Sequence, residues 1–440
     1  MKIFQIKPEE RSPIIILMLM FFCIVGSSIT GSSARDTFFL TQFDKSLLPL
    51  MFAVVAVFMV GAIMIYNHLA SELDLVKAII LSSSFFCFTL VIIRLNLNGF
   101  VIPVFYAWTD VIISITIFQF WLLANEIFDA RQAKRLFSFI GIGGSIAGIS
   151  AGYLIRPFVK NYGANDLLIP TIVMIAMIAF FANFLNPYRS NKQIKKSDNK
   201  SAKNKTVFDP YLQSILVMVC SAAVCSRIIE YQFKITAVNS YETSTELAAF
   251  FGEYYMFLNA TTLVMQLFLT GYVLTRFGIL GGLIFLPIGL AIGSLSFLIL
   301  TNLSSIFLAR LFDQAFKFSI QSASSEVLWT PVPKQKTRRV KPLIDSSIKS
   351  IAEGIVGIFI YIVIITNLLP SDKIYFLSAP VVIITILWLI NNFRIKKRYI
   401  STIEEAINHR HLNLENVQID ETDSHIINTI DTTLNDDDIN

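Results

Sequence analysis

Ile279 to Leu300 is a run of 22 residues without one charged side chain. An α-helix needs about 20 apolar residues to cross the hydrocarbon core of a bilayer. Only a backbone whose hydrogen bonds close within the segment can make that crossing, so such a run folds as a helix. About twelve runs of this character recur, at 14–34, 47–67, 76–94, 101–127, 136–156, 166–186, 211–233, 249–274, 279–300, 304–328, 342–366 and 373–393. The chain is therefore predicted to be an all-α integral membrane protein with about twelve transmembrane helices. Of its 440 residues 54% are hydrophobic and 15% charged, too little polar surface for a water-soluble domain of that size.

The basic residues set the expected orientation. Arg131/Lys134/Arg135, the seven cations between Arg189 and Lys205, Lys334/Lys336/Arg338/Arg339/Lys341 and Arg394/Lys396/Lys397/Arg398 all fall on one side if the spans alternate. Lys and Arg accumulate on the cytoplasmic side, so both termini are expected there, in a cell (cytoplasmic or inner) membrane. The first apolar run resembles a secretory signal but is long for one, and an uncleaved first span is expected. The only long internal loop divides the spans six and six. This predicts an N-terminal six-helix half at 1–187, a basic cytoplasmic linker at 188–210, a C-terminal half at 211–398 and an acidic, disordered tail at 399–440.

Against that apolar background the deep charges stand out. Span 7 carries Arg227, Glu230 and Lys234, and span 10 carries Arg310, Asp313 and Lys317, each set at i, i+3 and i+7 on one helix face. A bare charge at the bilayer centre costs roughly 2.5–3.5 kcal/mol on the insertion scale. Such charges persist when they pair or when they line a path for an ionic solute. Arg35 and Asp36 lie near the outer end of span 1. Glu126 and Glu326 close spans 4 and 10, each before a basic loop. Asp345, Lys349 and Glu353 form a further i, i+4, i+8 stripe in span 11. The bland reading is that each stripe neutralises itself within its own helix and merely orients the bundle.

Other features point away from enzymes. The four cysteines, Cys23, Cys87, Cys220 and Cys225, lie inside spans and read as free thiols, and no His/Cys cluster has metal-ligand spacing. No cofactor or metal is expected. Gly141-Ile-Gly-Gly-Ser-Ile-Ala-Gly148-Ile-Ser-Ala-Gly152 looks superficially like a phosphate loop. No strand precedes it, and Gly144, Gly148 and Gly152 share one face, so close helix packing is expected instead. Trp108, Tyr231, Tyr254 and Tyr255 are candidates to stack a ring, with interface anchoring the plainer role.

Two six-span halves joined by a basic loop resemble the parallel-repeat plan of major facilitator transporters, in which spans 1, 4, 7 and 10 line the cavity. Two segments go further. Phe120-Trp121-Leu-Leu-Ala-Asn125-Glu126-Ile-Phe128-Asp129-Ala-Arg131-Gln-Ala133-Lys134-Arg135-Leu136-Phe137 resembles the span 4 to span 5 region of the non-mitochondrial ATP/ADP translocases. Lys317-Phe-Ser319, Glu326-Val-Leu-Trp329-Thr-Pro331-Val-Pro333 and Lys341-Pro-Leu-Ile344-Asp345 are similar to that family's span 10 to span 11 signature, and Tyr231-Gln-Phe233-Lys234 to its span 7 ending. The chain is thus identified as a divergent member. By this resemblance the family's important membrane charges map to Arg35, Glu126, Glu230 and Lys317. Arg35 and Ser325 stand where lysines are usual, Trp329 replaces a tyrosine, and Pro342 interrupts the Lys-Ala pattern.

The expected function is secondary active transport of an anionic metabolite by alternating access, with ATP/ADP-type exchange first. Arg35, Arg227, Arg310 and Lys317 are the expected substrate ligands. Asp36, Glu126, Glu230, Lys234, Asp313, Glu326, Asp345 and Lys349 are the expected gate or coupling residues. The alternatives are a proton-coupled carrier of another small solute and a non-transporting membrane scaffold or sensor. The expected partners are a small anionic solute, nucleotide foremost, the lipid bilayer and, for a coupled carrier, protons. Nucleic acid is not among them, and a monomer suffices.

Overall fold

The computed structural model describes residues 7–70, 73–128, 130–188, 209–332, 336–337, 340–341 and 343–408. The expectations for the linker beyond 188 and for the tail beyond 408 lie outside these residues. Among the described residues every regular element is helical: α1 (Pro8–Gln42), α2 (Leu48–Ala70), α3 (Leu75–Leu95), α4 (Val101–Ile127), α5 (Ala130–Tyr162), α6 (Leu168–Leu185), α7 (Pro210–Ser240), α8 (Ser244–Val264), α9 (Thr270–Leu300), α10 (Leu303–Phe316), α11 (Ser322–Val327), α12 (Lys349–Ile365) and α13 (Ser378–Asn408). Local chemistry sets several starts. Pro8 opens α1, where its missing N–H is no loss. Asp74 accepts from the Val76 N–H at 3.2 Å and caps α3. Asp44 does the same for the 3₁₀ turn after α1, accepting from the Ser46 N–H at 2.9 Å, which holds its carboxyl below the usual carboxylate range.

Ten helical stretches are long and apolar enough to cross a membrane. Two physical effects reconcile that number with the predicted twelve. Ser244–Leu300 is a continuous stretch of 57 residues that holds two predicted spans. A π-helical turn at Met265–Leu269 joins α8 to α9, and the helix breaks at Gly278, which takes φ 63° and ψ −167°. The tenth predicted span is α10, a π-turn at Lys317–Gln321 and α11; Arg310, Asp313, Lys317 and Glu326 make it too charged to register by apolarity. Large apolar side chains such as Phe88, Met64, Ile299 and Phe359 are exposed along the helices, as a lipid-facing surface requires. The chain is a multi-pass membrane protein.

Contacts divide the chain into two compact units. The first comprises 1–201, 233–263 and 357–368; the second comprises 202–232, 264–356 and 369–440. In the first, α1 is central and packs on α4, α5 and α6, while α2 packs on α4 and α3 on α6. Glycines of α5 permit close approach. A side chain at Gly152 would stand 2.6 Å from the Gly252 carbonyl oxygen and 2.6 Å from the Met256 backbone nitrogen. The glycine-rich run is therefore a packing face inside one helix. In the second unit α9 packs against α10 and α13. α13 runs to Asn408, with Ile395, Tyr399 and Ile403 buried at four-residue spacing.

Candidate functional site

The first unit holds a buried charge cluster. Arg35 and Asp36 sit on α1, and Arg35 Nε donates to Asp36 Oδ1 at 2.9 Å. Its Nη1 pairs with Asp110 on α4. The guanidinium lies over the Tyr106 ring, 4.6 Å from the centroid. Lys234 on α7 donates to Asp36 Oδ1 and to the Tyr106 hydroxyl, each at 3.0 Å. Two cations and two carboxylates thus form a neutral set, completed by a phenol and its π-face. Such pairing is what makes buried charge tolerable in a low dielectric. Tyr106 and Asp110 are four residues apart, so one face of α4 presents both.

The second unit holds a larger cluster. Arg227 on α7 reaches Glu230 Oε2 at 3.0 Å and Glu353 Oε2 on α12 at 2.7 Å. Arg310 on α10 reaches the same Glu230 oxygen at 3.2 Å and Asp313 Oδ2 at 2.7 Å. Asp313 also accepts from the Ser226 hydroxyl at 2.7 Å and from Gln314 Nε2 at 2.6 Å. The planar, forked guanidinium suits this bridging role, since it donates to two acceptors at once. The pairs link three helices, so each stripe pairs both within its own helix and across to a neighbour.

The two stripes, alike in sequence, differ in space. Lys234 is consumed by Asp36 and Tyr106 in the first unit. Among the described residues Lys317, its counterpart, meets only the Ser226 hydroxyl, at 3.4 Å. It starts the π-turn after α10 and is half-buried. A half-buried ammonium with no carboxylate partner among the described residues is a ready anion ligand.

Residues 97–311 match the family model described as TLC ATP/ADP transporter. Over that stretch, just under half of its length, the chain is similar to the TLC ATP/ADP transporters. It is 20% identical over 285 residues to ADP,ATP carrier protein 1 of Chlamydia pneumoniae, a match covering 54% of this chain and 55% of the relative. The chloroplastic ADP,ATP carrier protein 1 of Arabidopsis thaliana is 20% identical over 423 residues, covering 78% of this chain and 67% of that one. ADP,ATP carrier protein 3 of Rickettsia prowazekii is 21% identical, covering 67% and 68%. The chain spans little more than half the length of the Chlamydia pneumoniae relative. Among solved structures, the nucleoside transporter NupG superposes with a TM-score of 0.62 at 12% identity, covering 86% of this chain and 98% of that one. The POT family transporter PepTSo gives 0.65 at 11% identity, covering 88% and 98%. The fold is the major facilitator type.

Within that family likeness, the structure gathers most of the predicted residues but not all. Arg35, Asp36 and Lys234 meet in the first unit; Arg227, Glu230, Arg310, Asp313 and Lys317 meet in the second. Glu326 stands apart, its carboxylate held by Lys341 Nζ at 2.6 and 2.7 Å. Asp345 is exposed in the π-turn Leu343–Ile348, and Glu126 is half-buried at the end of α4. Trp108 donates its indole N–H to Thr89 at 2.9 Å, and Tyr254 packs on Phe233 at 4.7 Å, so both have structural work. Asp110, Tyr106 and Ser226 escaped the sequence reading. The first two were visible as an acid and a phenol one turn apart, in a span whose one other charge is Glu126 at its far end; Ser226 carried no signal.

Proposed function

We propose that this chain is a secondary active transporter that exchanges an anionic nucleotide, of the ATP/ADP type, by alternating access. The observation that carries the reading is Lys317: a half-buried ammonium on a membrane helix with no carboxylate partner, beside arginines already committed to acids. The matched family model and the carriers it resembles support nucleotide as the anion. In this reading Lys317 meets the solute, and Arg227 and Arg310 hold Glu230, Asp313 and Glu353 until the solute or a conformational change releases them. The Asp36–Lys234 pair joins α1 to α7, helices from the two sequence halves 1–187 and 211–398. We read it as a gate whose pair breaks in one of the alternating states, with Arg35 and Asp110 bracing it. Glu126, Glu326 and Asp345 belong to the opposite, linker-side gate. The proposed setting is a cytoplasmic or inner membrane with both termini in the cytoplasm.

The test is uptake of radiolabelled ATP into proteoliposomes preloaded with ADP, comparing wild type with Lys317→Ala. Uptake that requires internal ADP and is lost in the variant supports both the exchange and the ligand. A well-folded wild type that takes up no ATP overturns the nucleotide reading.

A further inference from the structure

Every carboxylate in the second cluster is committed. Glu230 takes Arg227 and Arg310, Asp313 takes Arg310, and Glu353 takes Arg227. The lysines are not. Among the described residues, Lys317 has the single contact to Ser226, and Lys349 makes no hydrogen bond or ion pair. Lys349 opens α12 four residues before Glu353, a spacing at which a helix can pair a lysine with a glutamate. Arg227 has taken that glutamate. Ser226, which Lys317 meets, directly precedes Arg227, and Arg227 holds Glu353 one turn along α12 from Lys349.

Two half-buried ammonium groups therefore flank the Arg227–Glu353 pair, neither in an ion pair among the described residues. Each is costly in a bilayer unless something compensates it. The backbone is unusual at both. Lys317 begins one π-turn, and Lys349 directly follows another, Leu343–Ile348; such turns are rare and concentrate at functional sites. We infer that Lys349 is a second ligand, beside Lys317, for the anionic moiety of the transported solute, and that the pair is matched to a phosphoryl group rather than a single carboxylate. Two compact point charges suit the two negative charges that a phosphoryl group spreads over its oxygens. This rests on the exchange function proposed above and assigns Lys349 to the solute instead of a gate.

The experiment is ATP/ADP exchange in proteoliposomes over a range of external ATP, with pyrophosphate as competitor, for wild type, Lys349→Gln and Lys349→Arg. Lys349→Gln is expected to raise the half-saturating ATP concentration about tenfold or more while the maximal rate falls less than about threefold, the signature of lost ground-state binding. Inhibition by pyrophosphate should weaken in parallel, and Lys349→Arg should restore most of both. In a separate measurement on wild type alone, pyrophosphate should slow amine-reactive labelling of Lys349, read by mass spectrometry. A folded Lys349→Gln with unchanged half-saturation and unchanged pyrophosphate inhibition overturns the inference and leaves the exchange function standing. Unprotected Lys349 in an actively exchanging wild type does the same, even if the glutamine variant does not fold. A wild type that exchanges no nucleotide overturns both.

Discussion

Lys234 Nζ lies 3.0 Å from Asp36 Oδ1, across 198 positions of sequence, and the two side chains are only 4% and 2% exposed. The contact fastens α7 to α1 inside one compact unit. It also explains how a span with three charges can be a membrane helix at all. Its last cation is neutralised from another helix, and the Tyr106 hydroxyl takes a second of its protons.

Removing one partner of such a pair leaves a buried, uncompensated charge, which typically costs about 3–5 kcal/mol. Lys234→Met and Asp36→Asn should each lower the melting midpoint of the detergent-solubilised protein clearly. The double variant should fall well short of the sum of the two losses, because the second change removes the charge stranded by the first. Additive losses in a double-mutant cycle would show that the two groups are not coupled.

Arg310 is expected not to tolerate lysine. Its two terminal nitrogens reach Glu230, Asp313 and the Ser226 carbonyl together, a geometry one ammonium cannot reproduce. Arg310→Lys keeps the charge yet should lose most of the transport rate, about tenfold or more, with a lowered melting midpoint. Near-normal transport by Arg310→Lys would mean that the charge alone matters and that the fork does not.

How much of this was legible in the sequence depends on what each residue answers to. The spans were legible because a bilayer imposes length and apolarity on every helix that crosses it. The break at Gly278 was legible in the same way, falling between the runs 249–274 and 279–300. The i, i+3 pairs Arg227–Glu230 and Arg310–Asp313 were legible because helical geometry alone brings them together. The fate of the i+7 lysines was not. Lys234 and Lys317 occupy the same place in their stripes, and only tertiary packing gives one an aspartate and a tyrosine while leaving the other with a serine hydroxyl. Asp110 was hidden for a related reason: no other charge lies within several turns of it in its span, so it has no periodic partner to announce it.

Gly278 is predicted to resist substitution. Its φ of 63° and ψ of −167° fall in a region open essentially to glycine alone, where another residue costs of the order of 1–3 kcal/mol. Gly278→Ala should lower the melting midpoint, whereas Gly271→Ala, in the same helix with no atom within 4 Å of an added Cβ, should not. Equal effects at the two sites would remove backbone conformation as the reason for the break.

The helix contact in the first unit gives a sharper test of packing. At Gly152 an added methyl would meet backbone, the Gly252 carbonyl oxygen and the Met256 nitrogen, and backbone in a helix cannot step aside. At Gly148 its three nearest atoms would all belong to the side-chain amide of Asn259, which can rotate away. At Gly61 nothing lies within 4 Å. The expected order of destabilisation is therefore Gly152→Ala, by about 1–3 kcal/mol for a forced overpacking, then Gly148→Ala, with Gly61→Ala neutral or slightly stabilising. Thermal melting of the three purified variants reads the order directly. If Gly152→Ala melts with wild type, α5 and α8 are not in the backbone contact that the glycines create.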